Sequence, residues 1–372
     1  MKARIQQKVL AEAAAWAARQ VPSRPVQPVH AGLRLHATED GLTVSGTDGD
    51  TSTHSLLAAD VLTPGTVVVA ARFLAAVAGQ LPAGDVDLAY DGDQLTVTAE
   101  GSQYQLATLP AHEYPVLPVM PTPAGIVAGD LLAQAVTEVA HLADGTVAAL
   151  PAMAGIRVTA DGDRLSLVAT DRYRVGYRTV PWQPTGTPFE TAVLPAQAVV
   201  EIVKGARGDV QLALPGPDSM LAGISAAGRT TLMRCLDAAA FPKVDIVVPK
   251  TFAADAEVEA EELLAAVRRV MVVAEDKTPL RLQFTADSLT VAAAAGDMAR
   301  GRTVIPCQME GPEQFRISFN PRYLTDGMQG LTGAIHVQLT SATRPVMFVS
   351  DADETCRYLA VPLKDAWSAA PA

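Results

Sequence analysis

Leu42-Thr-Val-Ser-Gly-Thr-Asp48 reads as an apolar strand closing on a small or acidic turn, and the chain repeats it as Leu165-Ser-Leu-Val-Ala-Thr-Asp171 and Leu289-Thr-Val-Ala-Ala-Ala-Ala295. The leading leucines stand 123 and 124 residues apart. Downstream of each copy a short strand runs into a helix-like stretch, at Val67 to Gln80, Ala192 to Lys204 and Ile317 to Gly330. A further strand follows at Val86 to Ala89, Val210 to Leu214 and Ile335 to Thr340. One order and spacing kept three times predicts tandem similar domains, expected at residues 1–122, 123–250 and 251–372.

The 372 residues give each repeat enough chain for a workable core. With 49% hydrophobic and 19% charged residues the chain is of the globular class. It holds no apolar run long enough to span a bilayer, and Met1-Lys-Ala-Arg-Ile-Gln-Gln-Lys is too polar to open a signal peptide, so a cytoplasmic location is expected. Cys235, Cys307 and Cys356 are odd in number and lack a paired metal spacing, which argues for reduced thiols rather than disulfides or zinc. The net charge of −11 divides among the thirds as −5, −1 and −5. An acidic total opposes general side-on binding of DNA, yet it allows a basic lining on one face.

Helical periodicity is clearest over Ile5 to Gln20, Val127 to Leu142 and Glu259 to Ala274, one helix opening each third. In the last of these, acids lead and arginines close, as the helix dipole favours. Alternating stretches such as Gln94-Leu-Thr-Val-Thr-Ala and Gln103-Tyr-Gln-Leu-Ala-Thr predict strands, with turns at Asp91-Gly-Asp, Ala160-Asp-Gly-Asp and Asp351-Ala-Asp. Each third is therefore α+β with an antiparallel sheet. Prolines mark the joins near Val116-Leu-Pro-Val-Met-Pro-Thr-Pro123 and Val247-Val-Pro-Lys-Thr251.

No catalytic constellation stands out. The six histidines show no metal spacing, and there is no phosphate loop, nucleophile elbow or dinucleotide fingerprint. Asp48 with Asp50 and Asp91 with Asp93 fit turn chemistry better than acid and base catalysis. The expectation is a protein that is not an enzyme and carries no cofactor and no metal.

Val168-Ala-Thr-Asp-Arg-Tyr-Arg-Val-Gly176 resembles the bacterial sliding clamp family, the DNA polymerase III beta subunit. Ser23-Arg-Pro-Val-Gln-Pro, Leu150-Pro-Ala-Met-Ala-Gly-Ile-Arg, Cys235-Leu-Asp-Ala-Ala-Ala-Phe-Pro-Lys, Phe319-Asn-Pro-Arg-Tyr-Leu-Thr-Asp-Gly and Tyr358-Leu-Ala-Val-Pro-Leu-Lys extend the resemblance along nearly the whole chain, several of them closest to actinobacterial clamps. It implies a DNA-clamp fold: three similar domains, sheets outside and helices lining a ring that a head-to-tail homodimer closes around duplex DNA without sequence preference.

The resemblance also implies sites. Arg24 matches a DNA-contacting arginine, and Arg72, Lys204 and Arg207 are further candidates for the pore. Tyr104 and Leu106 would meet Val272 and Val273 of the other protomer. A pocket for glutamine-and-leucine-rich segments of the polymerase alpha subunit, the clamp loader and repair proteins would include Met153, Thr170, Arg172, Tyr173, Arg174, Val175, Pro242, Val247, Asn320, Tyr323, Leu359, Ala360, Val361, Pro362 and Leu363. The expected function is thus a processivity factor that tethers the replicative polymerase.

The sequence departs from the family pattern in places. Val244-Asp-Ile-Val follows Phe241-Pro-Lys where aromatic and basic residues are common, Leu194-Pro-Ala-Gln-Ala lacks a basic residue, and His30 replaces an apolar one. The chain also continues as Asp365-Ala-Trp-Ser-Ala-Ala-Pro-Ala beyond the usual terminus, near the pocket exit. These departures hold open a specialised second-copy clamp that tolerates a clamp-directed inhibitor, and a protein-only scaffold of the same fold.

Overall fold

The computed structural model describes residues 1–146, 150–187, 189, 191–204, 206–216, 219–274, 278–295 and 298–364. The extension from Asp365 to Ala372 lies outside the described residues. One order of elements occurs three times: strand, helix, three strands and a short fourth, then strand, helix and three strands. The helices are α1 (Gln7–Ala18) and α2 (Ala71–Gln80) in the first repeat, α3 (Gly129–Ala140) and α4 (Ala196–Val203) in the second, and α5 (Ala260–Met271) and α6 (Pro321–Gly327) in the third.

The opening helices begin later than their periodicity suggests. Lys2–Gln6 is a strand that buries Ala3 and Ile5 on one face and pairs antiparallel with Asp85–Tyr90. Gly125–Ala128 and Ala254–Glu259 precede α3 and α5 in the same way. An alternating signal this short is masked when it runs straight into a helical one. α5 carries Glu261 and Glu262 in its first turn and Arg268 and Arg269 in its last, and it buries Leu263, Ala266, Val267 and Val270.

Strand sharing between repeats organises the molecule. Thr51–Leu57 of the first repeat pairs antiparallel with Arg229–Arg234 of the second, with Ser55 opposite Arg229. Arg174–Pro181 of the second pairs likewise with Cys356–Ala360 of the third, with Arg178 opposite Cys356. The compact units follow these shared sheets. One comprises Met1–Asp130, Gln183–Glu190 and Lys204–Cys235, the other Leu131–Trp182, Thr191–Val203 and Leu236–Ala372.

The first unit holds a 14-stranded sheet, with Leu10, Leu33, Leu35, Leu42, Leu74 and Leu95 fully buried in its main core. The second holds a 9-stranded and a 4-stranded sheet. Two strands lack the inter-repeat partner that their counterparts have. Ala299–Pro306 pairs only with Ser288–Ala295 among the described residues. Ser102–Leu109 pairs with Gln94–Ala99 on one side and, on the other, reaches Gly65–Ala70 only through Thr108 and Leu109.

Candidate functional site

The second unit gathers most of the expected pocket residues around one tight turn, Thr170 to Arg174. The Thr170 hydroxyl donates to the Arg174 carbonyl at 2.7 Å and accepts from the Arg172 amide at 3.1 Å. Asp171 Oδ1 accepts from the amides of Tyr173 and Arg174 at 3.0 and 2.7 Å. These bonds hold Arg172 at φ 81°, a left-handed conformation that costs a residue with a Cβ about 1–2 kcal/mol. Its side chain is held out into solvent.

Arg174 fixes the turn to the third repeat. Its guanidinium donates to Asp171 Oδ2 and Asp326 Oδ2, both at 2.8 Å, and lies 5.1 Å over the Tyr323 ring. Burial opposes its charge, but the bonds to Asp326 and Asp171 prevail and raise its pKa. Tyr173, 53% exposed, stacks on Tyr323 with ring centroids 6.4 Å apart. Beneath them the Tyr358 hydroxyl donates to the Tyr323 carbonyl at 2.6 Å. A Cβ at residue 327 would lie 2.1 Å from the Tyr358 ring, so Gly327 makes that packing possible.

The terminal strand completes the wall. Val175 pairs with Leu359 and Arg174 with Ala360. Beyond the strand, the Val361 amide donates to the Tyr173 carbonyl and the Leu363 amide to the Ser318 carbonyl, both at 2.8 Å. Val175, Leu359, Ala152, Phe241 and Val244 share one buried cluster, which brings the segment around Pro242 against the same wall.

The expected residues divide by exposure. Met153, Thr170, Val175, Leu359, Ala360 and Pro362 are buried and support the surface from behind. Arg172, Tyr173, Val247 and Leu363 are exposed, while Pro242, Asn320, Tyr323 and Val361 are half-buried. Asn320 is already engaged, its Oδ1 accepting from the Arg322 amide at 3.0 Å as the cap of α6.

Sequence reasoning missed the carboxylates that order this surface. Asp171 and Asp326 hold Arg174, and Asp245 receives both terminal nitrogens of Arg157 at 2.8 and 2.9 Å. Arg157 also lies 5.5 Å over the Phe241 ring. The hydrogen bonds from Arg157, opposed by partial burial, lower the Asp245 pKa. Asp171 and Arg174 stand three residues apart, but for Asp326 with Arg174 and Asp245 with Arg157 the only sequence signal was opposite charge at distant positions, which does not specify contact.

The first unit carries the candidate DNA contacts. Arg24, Arg72, Lys204 and Arg207 are exposed, and none has a carboxylate partner among the described residues. Arg72 stands in the first turn of α2 with its guanidinium 4.5 Å over Phe73. Tyr104 and Leu106 lie on the open half of the strand Ser102–Leu109, Tyr104 39% exposed and Leu106 buried. In the other unit Val272 is 84% exposed, and a Cβ at Gly301 would lie 2.8 Å from the Val273 side chain.

The thiols offer little chemistry. All three are buried and free, and burial raises Cys235 to about 12 and Cys307 and Cys356 to about 11. The described residues contain no cluster of His, Cys, Asp or Glu suited to a metal ion and no helix long and apolar enough to cross a membrane. Asp48 and Asp91 accept amide hydrogens of their own turns, as their spacing predicts.

Three copies of one strand-rich unit, joined by shared sheets, define a clamp-type fold. Models of the N-terminal, central and C-terminal domains of the DNA polymerase III beta subunit match residues 1–118, 127–243 and 245–364. The beta sliding clamp of Streptomyces coelicolor is 37% identical, over 98% of this chain and 99% of that one. The beta sliding clamp homolog GriR of Streptomyces muensis is 35% identical over the same shares. The crystal structure of the Bacillus subtilis sliding clamp superposes with a TM-score of 0.89 at 24% identity, covering 98% and 99% of the two chains. That of the Pseudomonas aeruginosa clamp bound to griselimycin gives 0.88 at 21%, with the same coverage. The chain belongs to the bacterial beta sliding clamp family.

Proposed function

We propose that this sliding clamp is a non-catalytic processivity factor of the cytoplasm, with domains 1–122, 123–250 and 251–372, that closes around duplex DNA as a head-to-tail homodimer. The observation that carries the reading is the pair of free edges. Ser55, Arg178 and Thr303 are equivalent, since they stand opposite Val44, Leu167 and Val291, each the third residue of the repeated strand. Ser102, Arg229 and Cys356 each open the last strand of a repeat. Within the chain Ser55 faces Arg229 and Arg178 faces Cys356. The third pairing is left for two protomers: Thr303 opposite Ser102, Gly301 opposite Tyr104 and Ala299 opposite Leu106 of the partner subunit. Val273, packed on Gly301, then backs Tyr104, and closure removes both open edges.

The charge pattern supports a DNA-facing helix layer. The six helices are close to neutral, Lys8, Arg72, Arg268, Arg269 and Arg322 against Glu12, Asp130, Glu138, Glu201, Glu261, Glu262 and Asp326, so most of the net −11 resides elsewhere. Weak phosphate contacts from Arg24, Arg72, Lys204 and Arg207 suit sliding, since encirclement supplies retention and side-chain contact need not. The exposed aromatics, amide-bearing cap and terminal strand of the second unit suit short apolar segments of the polymerase, loader and repair proteins.

Loading onto circular and linear DNA tests the whole reading. A topological ring persists on the circle and leaves the linear ends at any salt that preserves the dimer. Arg24→Ala should speed run-off from the linear ends while the dimer, and its hold on the circle, persist. Equal loss from both forms would leave a protein-only scaffold.

A second reading is favoured by one observation. Asp245 and its ion pair with Arg157 stand at the pocket rim, a feature suited to a specialised copy with altered inhibitor affinity. Titration with griselimycin decides: weak binding supports that reading, and tight binding removes it.

A further inference from the structure

Beside the groove lies a second concavity of about 400 Å³, wholly within the second unit and within the size range of small-ligand sites. Its walls are apolar, from Ile246, Val247, Pro249 and Pro345, and its cations are Lys250 and Arg344. Thr340, hydrogen-bonded through its hydroxyl to the Thr251 carbonyl at 3.3 Å, closes one side.

Three features distinguish this hollow from an ordinary solvated rim. Lining carboxylates are absent, and neither Lys250 nor Arg344 has an ion-pair partner among the described residues, in a chain of net charge −11. The adjacent Asp245 is bound bidentately by Arg157, so its charge is already matched. Ile246 is 77% exposed and Val247 46%, an apolar surface joined to unpaired positive charge.

We propose that this hollow is an acidic-flank subsite: it receives the acidic residues that adjoin the apolar anchors of a docking peptide. The proposal rests on the groove reading above, because Val247 belongs to both surfaces and a peptide leaving the groove across it enters the hollow. Lys250 and Arg344 then select among partners with equally good anchors, and the contact is electrostatic, partly exposed and sensitive to salt.

Calorimetric titration of the full chain separates this proposal from the groove reading. The probes are a glutamine-and-leucine-rich polymerase peptide, the same peptide with two glutamates added at either end, and counterparts with two glutamines. Two exposed ion pairs should tighten binding about fivefold for one of the glutamate peptides at low salt. The gain should vanish at high salt and in the Lys250→Gln, Arg344→Gln double variant, whose affinity for the unflanked peptide stays unchanged. Binding of the unflanked peptide without any glutamate gain overturns the subsite alone. A gain that survives in the double variant overturns the assignment to these two cations. No binding of any peptide by an intact dimer overturns the groove and the subsite together.

Discussion

The turn Thr47–Thr51 of the first repeat and the turn Thr170–Arg174 of the second share one hydrogen-bond pattern and differ in what they carry. In the first, the Thr47 hydroxyl donates to the Thr51 carbonyl at 2.8 Å and accepts from the Gly49 amide at 3.0 Å, and Asp48 Oδ1 accepts from Asp50 and Thr51. The left-handed position there is Gly49, at φ 102°, which bears no penalty. In the second it is Arg172, with Arg174 anchored to two carboxylates and Tyr173 stacked outward. A repeated fold supplies a turn at both places, and only one has been loaded with strain, charge and exposed aromatic surface. Departure from the cheaper solution marks the place where binding is expected.

The largest expected contrast is in acid. His54 and Tyr177 occupy equivalent positions on the strands that follow the two turns. Burial, with the nearby Arg34 charge, lowers His54 to about 4, so the unfolded chain takes up its proton first. That stability is complete above the unfolded value near 6.5 and is lost as pH falls toward 4, up to about 3 kcal/mol. Hydrogen exchange should show Thr51–Leu57 losing protection over this range through a component that His54→Gln removes. No such component is expected from the phenol at residue 177, whose pKa burial raises.

Arg174→Ala comes next. It leaves Asp171 and Asp326 uncompensated at a site where the arginine side chain is 13% exposed, and should cost about 2 kcal/mol, less than a fully buried pair because Asp326 is open to water. Thr51→Ala at the equivalent place should cost under about 1 kcal/mol. Denaturant midpoints measure both, and equal losses would deny the second turn its anchoring role. Arg172→Gly should stabilise by about 1 kcal/mol and weaken peptide binding, whereas Gly49→Arg should destabilise by a similar amount. The smallest contrast is between Thr47→Val and Thr170→Val, each expected to lose about 1 kcal/mol of hydrogen bonding. Thermal melts should place them within about 0.5 kcal/mol of each other, Thr47→Val the more costly because Thr47 Oγ1 also accepts from the Ser52 hydroxyl at 3.0 Å.

The repeat was legible because strands Leu42, Leu165 and Leu289 begin with the same alternation at near-constant spacing. The first residues of the opening helices were not. Lys2–Gln6 alternates over too few positions to be separated from the helix it enters. The resemblance brought Thr170, Tyr173, Tyr323 and Leu359 to one surface. It did not indicate that Asp171, Asp326 and Asp245 arrange that surface, since partner choice among many charges depends on the folded chain. Nor did it distinguish residues such as Met153 and Leu359, buried behind the wall, from Tyr173 in front of it.

One strand pairing that the single chain leaves open decides whether the ring closes, and a cysteine pair reads it directly. Directly opposed residues in antiparallel strands lie about 4.5–5.5 Å apart at Cα, within reach of a disulfide. The native thiols are buried and should contribute little background. Ser55→Cys with Arg229→Cys is the internal control, expected to close within one chain. Mild oxidation of the Ser102→Cys, Thr303→Cys variant should give a covalent dimer on a non-reducing gel. A variant that stays monomeric there, while the control closes, would contradict the head-to-tail ring.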